Sequence, residues 1–247
     1  MLVRHLANAG VMIEGSKKII IDGLCDETGL YRKTDEEDRE KIISAIEPFD
    51  DIDLMIFTHE HPDHFEEEAV SEFLIRNEKA YALMNEEAFL RIEADEDTKR
   101  RIIVPEIETL KSLRFDFFGA SIEVFSLAHD GGKIFADVVN FATIIEMDGK
   151  RILHTGDAAF NESNYSSLDS KGNIDLMIAP FPNVGIPTAR KNVKNYIDPT
   201  LIMAVHFPIP EHDKYGWAKS TKDNYQKSPQ LLNGVIFADD IGEEITL

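Results

Sequence analysis

Leu54-Met55-Ile56-Phe57-Thr58-His59-Glu60-His61-Pro62-Asp63-His64 is the stretch that decides how this chain is read. Its first four residues are uniformly apolar, the pattern of a strand buried on both faces. Three histidines and an aspartate then leave the strand end together, ahead of a helix expected to begin near Phe65. In a tight loop His59 and His61 face the same way while Glu60 points aside. Asp63 with His64 turns toward a second position roughly 3.5–4 Å away, the separation of the ions in two-metal sites. Neutral imidazole and carboxylate suit zinc, manganese or iron. One histidine near a strand is ordinarily structural; four donors at this density point to a metal centre.

Outward from this loop, short apolar or alternating runs bounded by Gly, Asp or Pro predict further strands. These lie at Gly10 to Ile13, Lys18 to Ile21, Leu54 to Phe57, Tyr81 to Met84, Ile122 to Leu127, Phe141 to Met147, Arg151 to Thr155, Asp175 to Ala179 and Leu201 to Val205. Asp148-Gly149 predicts a hairpin turn. Helices are expected at Asp35 to Glu47, Glu66 to Arg76, Glu86 to Ile92 and Thr188 to Ile197, the last with Thr188 as N-cap. This α/β order, with helices between strands and several hairpins, predicts two packed sheets with helices on their outer faces. The irregular stretch from Pro208 to Pro229 is expected to be a long ordered loop or lid carrying Trp217.

With 247 residues, 43% of them hydrophobic, the chain is long enough to bury its own core, and a single domain over 1–247 is expected. Lys and Arg number 26 against 46 Asp and Glu, a net charge of −20 that disfavours nucleic acid and anionic membranes as partners. Cys25 is the only cysteine, so an intrachain disulfide is excluded and a metal site must be built from His and carboxylate. Met1-Leu2-Val3-Arg4-His5 lacks the pattern of an export signal, and the expected location is the cytoplasm. Oligomeric state is not encoded in these patterns, and a homo-oligomer is compatible with them.

The motif His-x-His-x-Asp-His at His59, His61, Asp63 and His64 resembles the signature of the metallo-β-lactamase superfamily. The resemblance extends in order along nearly the whole chain. His129 in Ser126-Leu127-Ala128-His129-Asp130-Gly131-Gly132 matches the third histidine position, Asp157 in Leu153-His154-Thr155-Gly156-Asp157 the bridging carboxylate, and His206 in Met203-Ala204-Val205-His206-Phe207 the last ligand. What this implies is a four-layer αββα sandwich of two mixed sheets and two divalent ions per chain, zinc first, with manganese or iron accepted by the same donors. By the resemblance His59, His61 and His129 hold one ion, Asp63, His64 and His206 the second, and Asp157 both. Asp22, ending Lys18-Ile19-Ile20-Ile21-Asp22, resembles the family's early aspartate that supports the histidine loop. The implied reaction is hydrolysis of an ester, lactone or phosphoester in a small molecule by a bridging hydroxide, with Asp63 handling its proton.

Asn8-Ala9-Gly10-Val11-Met12-Ile13-Glu14 and the strand after it look most like the branch that contains L-ascorbate-6-phosphate lactonase. That branch often has a His near Asn8, and Gly-Asp-Thr where this chain has Gly156-Asp157-Ala158. An anionic small molecule would need local cations, for which Lys133, Arg190 and Lys191 are candidates; His212 is a candidate substrate contact, and Tyr215 and Trp217 are candidate pocket walls. A phosphodiesterase or nuclease would use the same ligands, but the chain has no basic run to track a polyanion. A flavodiiron oxidoreductase would place Glu where His61 stands. A mononuclear-iron sulfur dioxygenase and a non-catalytic metal-binding module complete the alternatives. His5 and His154 are left outside the ligand set.

Overall fold

A computed structural model describes residues 1–168 and 172–247. The described residues divide into two compact units, Met1–Glu106 with Ile241–Leu247, and Ile107–Asp240, each built on its own seven-stranded sheet.

In the first unit, β1 (Leu2–His5), β2 (Val11–Glu14) and β3 (Lys18–Ile21) form an antiparallel meander. β4 (Leu54–Ile56), β5 (Tyr81–Leu83) and β6 (Ile102–Ile103) then add in parallel, and the chain's last strand, Glu244–Thr246, pairs antiparallel with β1. Parallel neighbours need long crossovers. Here they contain α1 (Glu36–Ile43), α2 (Glu67–Arg76), and the short α3 (Glu86–Leu90) and α4 (Glu96–Lys99). β4 is buried along its whole length, as its unbroken apolar run requires. α2 turns Ala69, Val70, Phe73 and Leu74 inward, the one-sided spacing of an amphipathic helix. These residues join Met12, Ile20, Met55 and Phe57 in one core. Phe57 and Phe65 meet edge to face at 5.2 Å, so both ends of the histidine loop are anchored in that core.

In the second unit, β7 (Ser112–Phe117), β8 (Ala120–Ala128), β9 (Val139–Met147) and β10 (Lys150–His154) are antiparallel neighbours. β11 (Leu176–Pro180), β12 (Leu201–Val205) and β13 (Val235–Phe237) follow in parallel, which leaves Glu244–Thr246 as β14. The helices of this unit are α5 (Glu162–Ser167), α6 (Pro182–Gly185), α7 (Pro187–Asn192) and α8 (Trp217–Gln226). Asp148 and Gly149 both take left-handed φ, +52° and +74°, the twist-matched turn expected of an Asp-Gly hairpin. The two sheets share one plan, three antiparallel pairings followed by three parallel ones. Asp22 follows β3 and Asp157 follows β10, each the last strand of its antiparallel run.

Three expectations are corrected. The first helix ends at Ile43 rather than Glu47, because Ala45 adopts a left-handed φ of +50°. Thr188 is not an N-cap: Ile186 holds that position and Pro187 is the first helical residue, where its fixed φ and missing N–H fit best. The stretch from Pro208 to Pro229 is not all loop, since it contains a 3₁₀ turn at Pro210–His212 and α8. Asp213 starts α8 by accepting from Trp217 N at 2.8 Å and Ala218 N at 3.0 Å. Ala218, Thr221 and Tyr225 face inward at helical spacing, with Ala218 and Tyr225 against the unit's core, but the Lys, Ser, Asp and Asn between them make the stretch read as loop. Among the described residues, no helix is long and apolar enough to cross a membrane.

Candidate metal centre

The first unit carries His59, His61, Asp63 and His64 in the loop after β4. Asp22, completely buried, organises that loop. Its Oδ1 accepts from the Thr58 amide at 2.8 Å, and its Oδ2 accepts from the Thr58 hydroxyl at 2.7 Å and from His64 Nδ1 at 2.8 Å. A carboxylate only accepts, so His64 carries its proton on Nδ1 and presents Nε2 as a lone pair. The Thr58 hydroxyl, having given its proton to Asp22, accepts from His59 Nδ1 at 3.0 Å, which exposes the His59 Nε2 lone pair as well. Asp22 thus dictates the proton position on two rings, one directly and one through Thr58.

These ring nitrogens lie close to further donors of the loop. His59 Nε2 lies 3.1 Å from His61 Nδ1, and His64 Nε2 lies 3.8 Å from Asp63 Oδ2. Ligands about 2.0–2.1 Å from a tetrahedral zinc stand about 3.3 Å from one another, so the His59–His61 spacing fits two donors on one cation. Glu60 points away, as expected: its Oε2 accepts from Asn85 Nδ2 at 2.7 Å and its carbonyl accepts from Arg91 Nη1 at 3.1 Å. Asn85 also caps α3 by accepting from Ala88 N at 2.9 Å, so the histidine loop is tied to the start of a helix.

The second unit carries His129, Asp157 and His206, each just past a strand end. The His129 and Asp157 segments are bridged, with His129 opposite Ala158 and the Asp130 amide donating to the Asp157 carbonyl at 2.8 Å. His129 Nδ1 donates to the Asp130 carbonyl, again leaving Nε2 as the lone pair. His129 Nε2 is 3.8 Å and His206 Nε2 3.1 Å from Asp157 Oδ2, so one carboxylate oxygen lies near both rings. The Asp157 amide donates to Asn140 Oδ1 at 2.8 Å. His206 turns the chain away from β12 with a left-handed φ of +62°, unusual for a residue with a Cβ.

Asn164, fully buried, staples the second unit's two loops. Its Oδ1 accepts from Ala128 N at 3.1 Å, and its Nδ2 donates at 2.8 Å to the carbonyls of Ala128 and Ala159. Neither Asn164, Asn140, Asn85 nor Asn8 stood out in the sequence, because an asparagine between apolar runs reads as a turn residue. His154, left outside the expected ligand set, is buried and accepts from the Gly156 amide at 3.1 Å, and His5 Nε2 donates to the Asn8 carbonyl at 3.2 Å. Of the six candidate substrate contacts, Lys133, Lys191, His212 and Tyr215 are exposed and Trp217 is half-buried, its ring stacked 5.2 Å from that of Tyr215. Arg190 is only 3% exposed, and its Nη1 donates at 3.1 Å to the Asn224 carbonyl near the end of α8, the position of a C-capping cation.

Comparison with known proteins adds a family. Residues 5–206 match the model of the β-lactamase superfamily domain. A UPF0173 metal-dependent hydrolase of Pyrococcus abyssi is 25% identical over 210 residues, 83% of this chain and 84% of its own. Among solved structures, the metallo-β-lactamase fold protein YhfI of Bacillus subtilis superposes with a TM-score of 0.61 at 12% identity, over 99% of both chains. CmlA, a diiron β-hydroxylase from Streptomyces venezuelae, superposes with a TM-score of 0.64 at 13% identity; the match covers all of this chain and 54% of CmlA. At these identities the two structures share the fold.

Proposed function

The chain belongs to the β-lactamase superfamily, and from that premise we propose that it is a metal-dependent hydrolase acting on an ester, lactone or phosphoester of a small molecule. The observation that carries the reading is how the rings are held. His59, His64 and His129 each set Nδ1 against an oxygen, the orientation in which Nε2 can serve a cation. Metal-binding histidines depend on a partner of this kind at the far ring nitrogen. In this proposal His59, His61 and His129 hold one divalent ion, zinc by preference, Asp63, His64 and His206 hold a second, and Asp157 serves both. Bound there, the ions would supply a water deprotonated near neutral pH and Lewis-acid stabilisation of the oxygen that gains charge.

This chain's own residues do the rest. Asp63 orients the attacking water and takes its proton as the new bond to carbon or phosphorus forms. The bond to the leaving oxygen breaks, and that oxygen takes up the proton that Asp63 accepted, which releases the alcohol and restores the carboxylate. Exposed Lys133 and Lys191 are the proposed contacts for an anionic substrate, with His212 as a further proposed contact and Tyr215 and Trp217 as proposed pocket walls. Hydrolysis is preferred to oxidation on the strength of the Pyrococcus relative's name, and a small substrate is preferred to nucleic acid on the net charge of −20.

The test is metal analysis of the purified protein, together with chromogenic esters, lactones and phosphodiesters assayed on wild type and Asp157→Ala. The variant is expected to lose metal and all hydrolysis. Full activity at less than one metal per chain would refute the two-ion centre, and two bound metals with no turnover across the panel would refute the hydrolase.

A further inference from the structure

The hairpin between β1 and β2 brings Asn8 against Asp63. The hairpin is closed by Leu6 N donating to the Gly10 carbonyl at 2.8 Å. Its position is set by Gly10, where a Cβ would lie 2.5 Å from the Asp22 carbonyl oxygen. The Asn8 backbone is held at both ends, its amide donating to the Arg32 carbonyl at 3.3 Å and its carbonyl accepting from His5 Nε2 at 3.2 Å. From this fixed base the side chain, 4% exposed, directs Nδ2 to Asp63 twice, at 3.1 Å to Oδ2 and at 3.2 Å to the carbonyl. The amide orientation is unambiguous, because the reverse would set an oxygen against two acceptors. Oδ1 is then left buried, accepting no hydrogen bond from the described residues. A buried acceptor left so costs about 1–3 kcal/mol, and proteins keep such groups chiefly where a ligand or water uses them.

We propose that Asn8 is a positioning residue for Asp63: its amide nitrogen locks the Asp63 carboxylate in one orientation, and its amide oxygen accepts a hydrogen bond from the attacking water beside that carboxylate. The inference rests on the hydrolytic reading above and adds a residue to it. One hydrogen bond holds the Asp63 carboxylate and the other its backbone carbonyl, so side chain and backbone are tied to the same rigid amide and the carboxylate is oriented before the cation arrives. With one N–H pair and one oxygen on the same planar group, Asn8 ties the direction of the water to the direction of the carboxylate.

Asn8→Ala removes both functions. Asn8→Asp keeps the shape and an acceptor but loses the donor. Both are read by competitive zinc titration against a chromophoric chelator, and by steady-state kinetics on whichever ester, lactone or phosphoester the wild type turns over. Circular dichroism of the apoproteins confirms folding. In both variants the weaker zinc-binding step is expected to lose about 10-fold in affinity, the lower end for a support that orients a ligand. kcat is expected to fall about 100-fold with KM unchanged, as when an acid–base contact is lost. Zinc affinity and kcat within twofold of wild type would overturn the proposal, as would Asn8→Asp behaving as wild type. A raised KM at unchanged kcat would place the amide oxygen on the substrate and overturn its assignment to water. If wild type hydrolyses nothing in the panel, the hydrolytic reading fails; zinc affinities matching wild type would then separately refute the grip of Asn8 on Asp63.

Discussion

Asp22→Asn changes almost nothing in shape and, if the proton arrangement is understood, inverts two histidines. Asn tolerates the left-handed φ of +49° that Asp22 adopts, so the backbone is not strained by the exchange. One amide oxygen can still accept from Thr58 N. The amide nitrogen must then face the Thr58 hydroxyl and His64 Nδ1, where a carboxylate oxygen now accepts at 2.7 and 2.8 Å. Donor meets donor unless His64 moves its proton to Nε2 and the Thr58 hydroxyl turns its proton toward His59 Nδ1, which in turn drives the His59 proton to Nε2. Both rings would then present N–H where a lone pair is needed. Restoring the metal-binding tautomer means breaking about one hydrogen bond per ring and leaving a buried polar group unpaired, about 1–3 kcal/mol each. That is about 5- to 150-fold in affinity for each ion, since the proposal assigns His59 and His64 to different ions. The assay is zinc titration against a chelator on dialysed protein, with nitrogen-15 imidazole spectra reporting the tautomers. Asp22→Gly, which accepts positive φ and admits water to the rings, is the control and should bind more tightly than Asp22→Asn. Unchanged tautomers in Asp22→Asn, or affinities above those of Asp22→Gly, would refute the reasoning.

Other expectations follow from the same contacts. Gly10→Ala puts a Cβ 2.5 Å from the Asp22 carbonyl oxygen, so Asp22 or the hairpin must move; a stability loss of about 1–3 kcal/mol in urea unfolding, with weakened zinc binding, is expected, and wild-type values for both would show that the approach is soft. Asn164→Ala strips three buried hydrogen bonds from the segments holding His129 and Asp157 and should cost about 2–4 kcal/mol, read by the urea midpoint at constant m. Burial pushes the Cys25 thiol up from 9.0 to about 12, so it should resist a maleimide at pH 8 until the protein is unfolded. Because the folded value is the raised one, the neutral thiol's contribution is complete below pH 9 and is lost between pH 9 and about 12, where the unfolded chain ionises first; an alkaline fall in stability as steep in Cys25→Ala as in wild type would contradict this.

What the sequence made legible was the donors and the strands that carry them. β3 and β12 could be bounded to the residue because Lys18-Ile19-Ile20-Ile21 and Leu201-Ile202-Met203-Ala204-Val205 are apolar runs closed by Asp22-Gly23 and by His206-Phe207. α8 could not, because its start depends on Asp213 accepting from Trp217 N, and its inward face, Ala218, Thr221 and Tyr225, is too sparse and too polar to stand out among the Lys, Ser and Asn around it. The two-residue β6 and the three-residue β13 have too few residues for alternation to show.

The same limit applies within the metal loop, and it bears on how function is encoded. His59, His61, Asp63 and His64 announce themselves by type and spacing, yet a ring nitrogen binds a cation only if its proton is elsewhere. That depends on residues distant in sequence: Asp22 lies 42 positions from His64 and 36 from Thr58, and Asn8 lies 55 from Asp63. No local pattern carries such information, since an aspartate before Gly23 or an asparagine at a hairpin tip serves equally well as a turn residue. β3 and β4 are parallel neighbours, pairing Ile21 with Ile56, so Asp22 and Thr58 leave the same sheet edge together. The strand pairing, more than any motif, brings Asp22 and Thr58 to the rings of His59 and His64.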